Sequence, residues 1–129
     1  MTLHADYEVI PFWEHLGDTK DDIKTSAKFC GDQTTVKEFY IGQVPTGMGF
    51  LTLQTYDVHN SGHHIQINGK ELSGMDLPKH PAENRWDTWT EIIDNNLLKK
   101  GTNTIQVTRA GSGDNLIVKN IVVNWREQV

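Results

Sequence analysis

Residues 104–118 read Thr-Ile-Gln-Val-Thr-Arg-Ala-Gly-Ser-Gly-Asp-Asn-Leu-Ile-Val, and this stretch decides the fold. Two runs of β-formers flank Gly111-Ser112-Gly113, which reads as a turn between strands. The pattern recurs upstream. Ile65-Gln66-Ile67 runs into Asn68-Gly69, two residues that tolerate φ > 0 and so favour a tight hairpin. Working outward, alternation and turn residues predict strands over 34–43, 50–58, 63–67, 86–93, 104–109 and 116–126. In the last of these the apolar phase slips. Leu116 and Val118 lie on even positions, while Ile121, Val123 and Trp125 lie on odd ones. A β-bulge near Lys119-Asn120 restores one continuous buried face.

The remaining segments read less regularly. Tyr7 to Phe12 predicts a short edge strand that Pro11 ends, since proline cannot donate to a ladder. Residues 13–30 are polar and read as a long connection with one helical turn. Asp94 to Leu98 reads as a capped turn, with Leu97 or Leu98 filling the core. Seven or eight strands punctuated in this way predict an all-β fold, an antiparallel two-sheet β-sandwich or jelly roll.

With 129 residues the chain fits one domain, 1–129, long enough to bury a real core. Residues 1–33 supply the N-terminal strand and the long connection, and residues 34–126 the sandwich core. The net charge of −5, with Lys and Arg scattered, excludes a general nucleic-acid binder, which needs a concentrated basic face. No stretch approaches the length of an apolar membrane span, so no membrane partner is expected. Cys30 is alone, so no intrachain disulfide holds the fold. The first residues carry neither a basic nor an apolar leader region. The expectation is a cytoplasmic protein, unless the chain is a domain of a longer secreted one.

Several residues taken together carry a family likeness. Phe39-Tyr40-Ile41-Gly42, Leu51-Thr52-Leu53 and Tyr56-Asp57-Val58 precede Ile65-Gln66-Ile67-Asn68-Gly69 and a Trp-bearing strand. Then come Leu97-Leu98-Lys99-Lys100-Gly101-Thr102-Asn103-Thr104-Ile105 and Asp114-Asn115-Leu116-Ile117-Val118. Over residues 34–126 this order resembles the galactose-binding-domain-like β-sandwich, the fold of many carbohydrate-binding modules. The resemblance implies that fold, a sugar as one ligand class among several, and in many members a structural calcium. Fold-level likeness leaves function to the site.

Trp86 and Trp89 flank the long loop 74–85 and would supply an aromatic platform for a sugar ring. His80, Asn84 and Arg85 from the same loop would hydrogen-bond its hydroxyls; equally, the rings would fill the core and the loop would be solvated. Asp57 and Asp114, near predicted strand ends, offer oxygens to calcium or cap turns. His59, His63 and His64 do not make a zinc site, because adjacent strand residues point to opposite faces. No carboxylate pair or nucleophile context marks a catalyst. The expectation is a non-catalytic module that binds carbohydrate. The alternative is an assembly protein, a homo-oligomer formed through sheet surfaces, and a small glycan hydrolase stands further off.

Overall fold

The computed structural model describes residues 2–60, 62–74, 84–111 and 113–128. Nine strands lie among them: β1 (Leu3–Leu16), β2 (Lys28–Gly31), β3 (Lys37–Ile41), β4 (Gly49–Tyr56), β5 (His64–Ile67), β6 (Lys70–Glu71), β7 (Trp86–Ile93), β8 (Gly101–Thr108) and β9 (Leu116–Gln128). They form a five-stranded sheet in the order β2-β1-β9-β4-β7 and a four-stranded sheet in the order β3-β8-β5-β6. The pairing of β1 with β2 is parallel, and the others are antiparallel. The expected all-β sandwich is the observed fold.

Alternation places the core. Leu51 and Leu53 of β4, Ile93 of β7 and Ile121 and Val123 of β9 are buried on the inner face of the larger sheet. They meet Ile65, Ile67, Ile105 and Val107 of the smaller sheet in one cluster. Asn68 and Gly69 take φ of 53° and 78°, as the two-residue hairpin between β5 and β6 requires. Asn103 of β8 is buried, and its Oδ1 accepts from the Lys99 amide (2.9 Å) and from Asn68 Nδ2 (2.9 Å). That network pins the hairpin to the turn whose Leu98 plugs the core.

The bulge in β9 is present. Leu53 pairs with Ile121, but the next residue, Gln54, pairs with Lys119, which leaves Asn120 out of register at φ 24°. The extra residue keeps both Val118 and Ile121 on the buried face.

The N-terminal reading needs correction. β1 is not a short edge strand ended by Pro11; it runs 14 residues and lies between β2 and β9. Its register against β9 shifts between Ile10 and Trp13, so the N–H that Pro11 lacks falls where the ladder is already interrupted. β1 contributes Ile10, Phe12 and Leu16 to the core, which therefore begins well before residue 34. A 3-10 turn at Lys20–Asp22 lies within the connection, and β2, which the polar sequence did not announce, closes it. At Gly17, where the chain leaves β1, a Cβ would run into Asn115 Oδ1.

Candidate functional site

Trp86 and Trp89 do not form one platform. Three residues apart on one strand, they project to opposite faces of the sheet. Trp89 points inward, packs against the core and donates its indole N–H to the buried Thr55 Oγ1 at 2.6 Å. Trp86 points outward and is 44% exposed.

The partners of Trp86 come from other strands. Its ring stacks on Trp13 of β1, with centroids 6.1 Å apart and planes within 12°, and packs at 5.2 Å against Tyr56 of β4. Two strands, β9 and β4, separate β1 from β7. At about 4.8 Å per strand the two backbones lie roughly 14 Å apart, so both indoles lean toward each other over the sheet. Beneath them Ile117 is buried, although it faces away from the main core. Lys119 places its ammonium 5.5 Å from the Trp86 centroid and 5.9 Å from that of Trp13. Ser26 accepts a 3.0 Å hydrogen bond from the Trp13 indole and so fixes that ring.

Two hollows flank Trp86. One, of about 200 Å³, is bounded by Gln54, Asp87, Thr88 and Lys119. The other, of about 250 Å³, is bounded by Trp13, Tyr56, Ile117 and the connection residues Ile23, Lys24 and Thr25. Both fall below the roughly 300 Å³ at which enclosed ligand pockets begin, so they are open seats on a surface. Trp13 and Tyr56 were missed by sequence reasoning, because only the strand register brings them to Trp86.

Asn84 and Arg85 lie at the same end of the sheet. The Asn84 amide donates to Asp57 Oδ1 at 2.9 Å, the Asp57 amide donates to the Arg85 carbonyl at 2.9 Å, and Arg85 Nε lies 3.6 Å from Asp87. They hold the strand end beside Tyr56 and Trp86. His80 lies outside the described residues.

Asp57 and Asp114 do not fit a calcium ion. The carboxylate of Asp114 accepts from the amides of His59, Asn60 and Asn115 and from His63 Nε2 at 2.6 Å, so its oxygens face N–H donors. Asp57 Oδ1 is likewise taken by His59 Nε2 at 2.6 Å. Burial pushes the Asp114 carboxyl up, but the His63 hydrogen bond and the amides outweigh it and hold it below the usual range. His63 Nδ1 accepts the Ala110 amide at 2.9 Å, which leaves Nε2 as the nitrogen that donates to Asp114. His64 points elsewhere, toward Glu71.

A second buried carboxylate, Glu14, is also structural. Burial raises its pKa, and the Thr35 amide, the Cys30 thiol, the Thr35 hydroxyl and the Lys37 ammonium together bring it below the usual value. Burial, with Glu14 adding to it, pushes the Cys30 thiol up to about 11. That thiol is no nucleophile near neutral pH.

The chain belongs to the family of unknown function DUF7383, whose model matches residues 4–127. No curated protein matches its sequence. Among solved structures it is similar to dimeric latent PorU from Porphyromonas gingivalis, with a TM-score of 0.63 at 8% identity. That match takes in 99% of this chain and 13% of PorU, so this chain spans a small part of that protein's length. It is also similar to a family 35 carbohydrate-binding module from an environmental isolate, with a TM-score of 0.53, 18% identity and coverage of 95% and 92%. The family 35 module from Paenibacillus barcinonensis matches with a TM-score of 0.52, 15% identity and coverage of 95% and 98%. At these identities the likeness establishes the galactose-binding-like sandwich and nothing finer.

Proposed function

We propose that this member of DUF7383 is a non-catalytic carbohydrate-binding module whose sugar lies on Trp86, Trp13 and Tyr56. The observation that carries this reading is the stacked pair of indoles, 44% and 39% exposed, on the outer face of a sheet. Folding leaves that aromatic surface in water, and the apolar C–H face of a sugar ring would cover it. Covering half of the exposed part of one indole removes enough apolar area for about 1–2 kcal/mol, roughly a tenfold gain in affinity. The two family 35 modules align along nearly their whole length, which supports the same class of ligand.

The geometry supports binding over turnover. A glycosidase holds its scissile bond between two carboxyl groups, whereas among the described residues Asp87 is the one carboxylate bordering these two hollows. Titrating intrinsic tryptophan fluorescence with a panel of mono- and polysaccharides tests the reading. Saturable quenching whose midpoint Trp86→Ala moves to about tenfold higher sugar concentration supports it, and a flat response to every sugar refutes it.

One observation favours a second reading, self-association through this sheet. Val9 and Ile92 are more than half exposed on its outer face, apolar and without hydrogen-bonding groups for a sugar. A stable dimer by light scattering, indifferent to sugars, would select it.

A further inference from the structure

We infer that the ligand is an extended, uncharged glycan chain lying along the outer face, from the Trp13–Trp86 pair to a second aromatic pair, Tyr7 and Phe50. This inference rests on the carbohydrate reading and specifies its substrate class. Strand register supplies the geometry. Trp13 sits opposite Lys119, which sits opposite Gln54, and Gln54 sits opposite Thr88. Further along the same strands Tyr7 sits opposite Asn124, Asn124 opposite Phe50, and Phe50 opposite Ile92. Both rows face outward, and Tyr7 and Phe50 are 62% and 43% exposed. Phe50 and Gln54 are four positions apart on β4, a span of about 13 Å that exceeds the reach of a single sugar ring.

Between the two aromatic rows Thr52 of β4 and Thr90 of β7 project outward and offer hydroxyls that both donate and accept, in line with Val122 of β9 and Val9 of β1. Asn124 adds an uncharged amide within the Tyr7–Phe50 row. The charge distribution points the same way. The protein holds 17 Asp and Glu residues and a net charge of −5, yet among the described residues no carboxylate occupies an outward position of β1, β4, β7 or β9. The carboxylates of these strands, such as Glu14, Asp87 and Glu91, fall on the inward phase. Of the cations on the face, Arg126 lies beyond the Tyr7–Phe50 row, and Lys119 sits within the strip, its ammonium over the Trp13 and Trp86 rings. A neutral polymer on this face meets no outward carboxylate; the nearest, Asp87 beside Trp86 and Asp6 beside Phe50, line the flanking hollows from the inward phase.

Calorimetric titration with cello-, xylo- and malto-oligosaccharides of two, four and six units tests this. For the sugar type that binds, affinity should rise at least tenfold from the disaccharide to the hexasaccharide. It should hold between about 0.1 and 1 M salt, where the Debye length falls from about 10 to 3 Å. The double variant Tyr7→Ala/Phe50→Ala, both exposed and expected to fold, should return the hexasaccharide to disaccharide affinity and leave the disaccharide unchanged. Equal affinity for two and six units, or no effect of the double variant on the hexasaccharide, would overturn the extended chain while leaving a sugar site at Trp86. Salt-sensitive binding would overturn the uncharged class. Absence of binding at every length, or a dimer that hides Tyr7 and Phe50, would overturn the carbohydrate reading itself.

Discussion

The two faces of the five-stranded sheet are built from the same strands and obey different rules. Ile93 and Ile92 are chain neighbours on β7; the first is fully buried and the second 53% exposed. Leu51 and Phe50 repeat the contrast on β4. Residue type therefore does not decide which apolar groups fold into the core; strand phase does. On the inner face Leu51, Leu53, Ile93, Ile121 and Val123 are buried, and the buried carboxylates, Glu14 on that face and Asp114 in the loop before β9, are anchored by several donors each. On the outer face the rings of Trp13, Trp86, Tyr7 and Phe50 remain open to water. The first face carries the stability, and the second is the one to which the proposed function assigns recognition.

The sharpest way to break this contrast is to truncate matched isoleucines. Ile121→Ala on the inner face should cost about 2–5 kcal/mol in urea unfolding, and Ile92→Ala on the outer face no more than about 0.5 kcal/mol. Equal costs would mean that the outer face is also packed. Removing a buried anchor comes next. Asp114→Ala leaves His63 and three amides without their acceptor and should destabilise by about 3 kcal/mol, with the loss partly restored in Asp114→Asn.

The two tryptophans of β7 sharpen the contrast within one strand. Trp89→Ala should destabilise by about 3 kcal/mol with little direct effect on sugar affinity. Trp86→Ala should lower affinity about tenfold, with about 1 kcal/mol lost in stability. Parallel melts and titrations separate the two outcomes. The smallest effect is on pH dependence. Glu14 has a folded pKa below its unfolded value, so the unfolded state binds the extra proton as pH falls through the carboxylate range. Its contribution is therefore full above about pH 5 and is lost as the pH drops below about 4. Glu14→Gln should flatten the acid limb of the stability curve, read by denaturant midpoints across that range.

Much of the fold was legible because its signals are local. Asn68-Gly69 and the odd–even slip of the last strand each lie within a few residues, and the structure contains both the hairpin and the bulge at Asn120. β1 was misread because Pro11 is a strong local breaker, and only pairing with β9 reveals the interruption that tolerates it. The candidate site was legible only in part. Trp86 stood out, yet the spacing of three between Trp86 and Trp89 already placed them on opposite faces, a signal that went unused. Trp13 and Tyr56 carry no local mark; they join Trp86 through a register set by four strands.

The most direct test of the account is the indole region of a ¹⁵N–¹H correlation spectrum, recorded as an uncharged hexasaccharide is added. The four tryptophans report separate places: Trp13 and Trp86 on the outer face, Trp89 bonded inward to Thr55, and Trp125 bonded to Glu127 in the core. The account predicts that the signals of Trp13 and Trp86 shift together and saturate, while those of Trp89 and Trp125 stay in place. Shifts confined to Trp89 or Trp125, or no shift with any sugar, would contradict it.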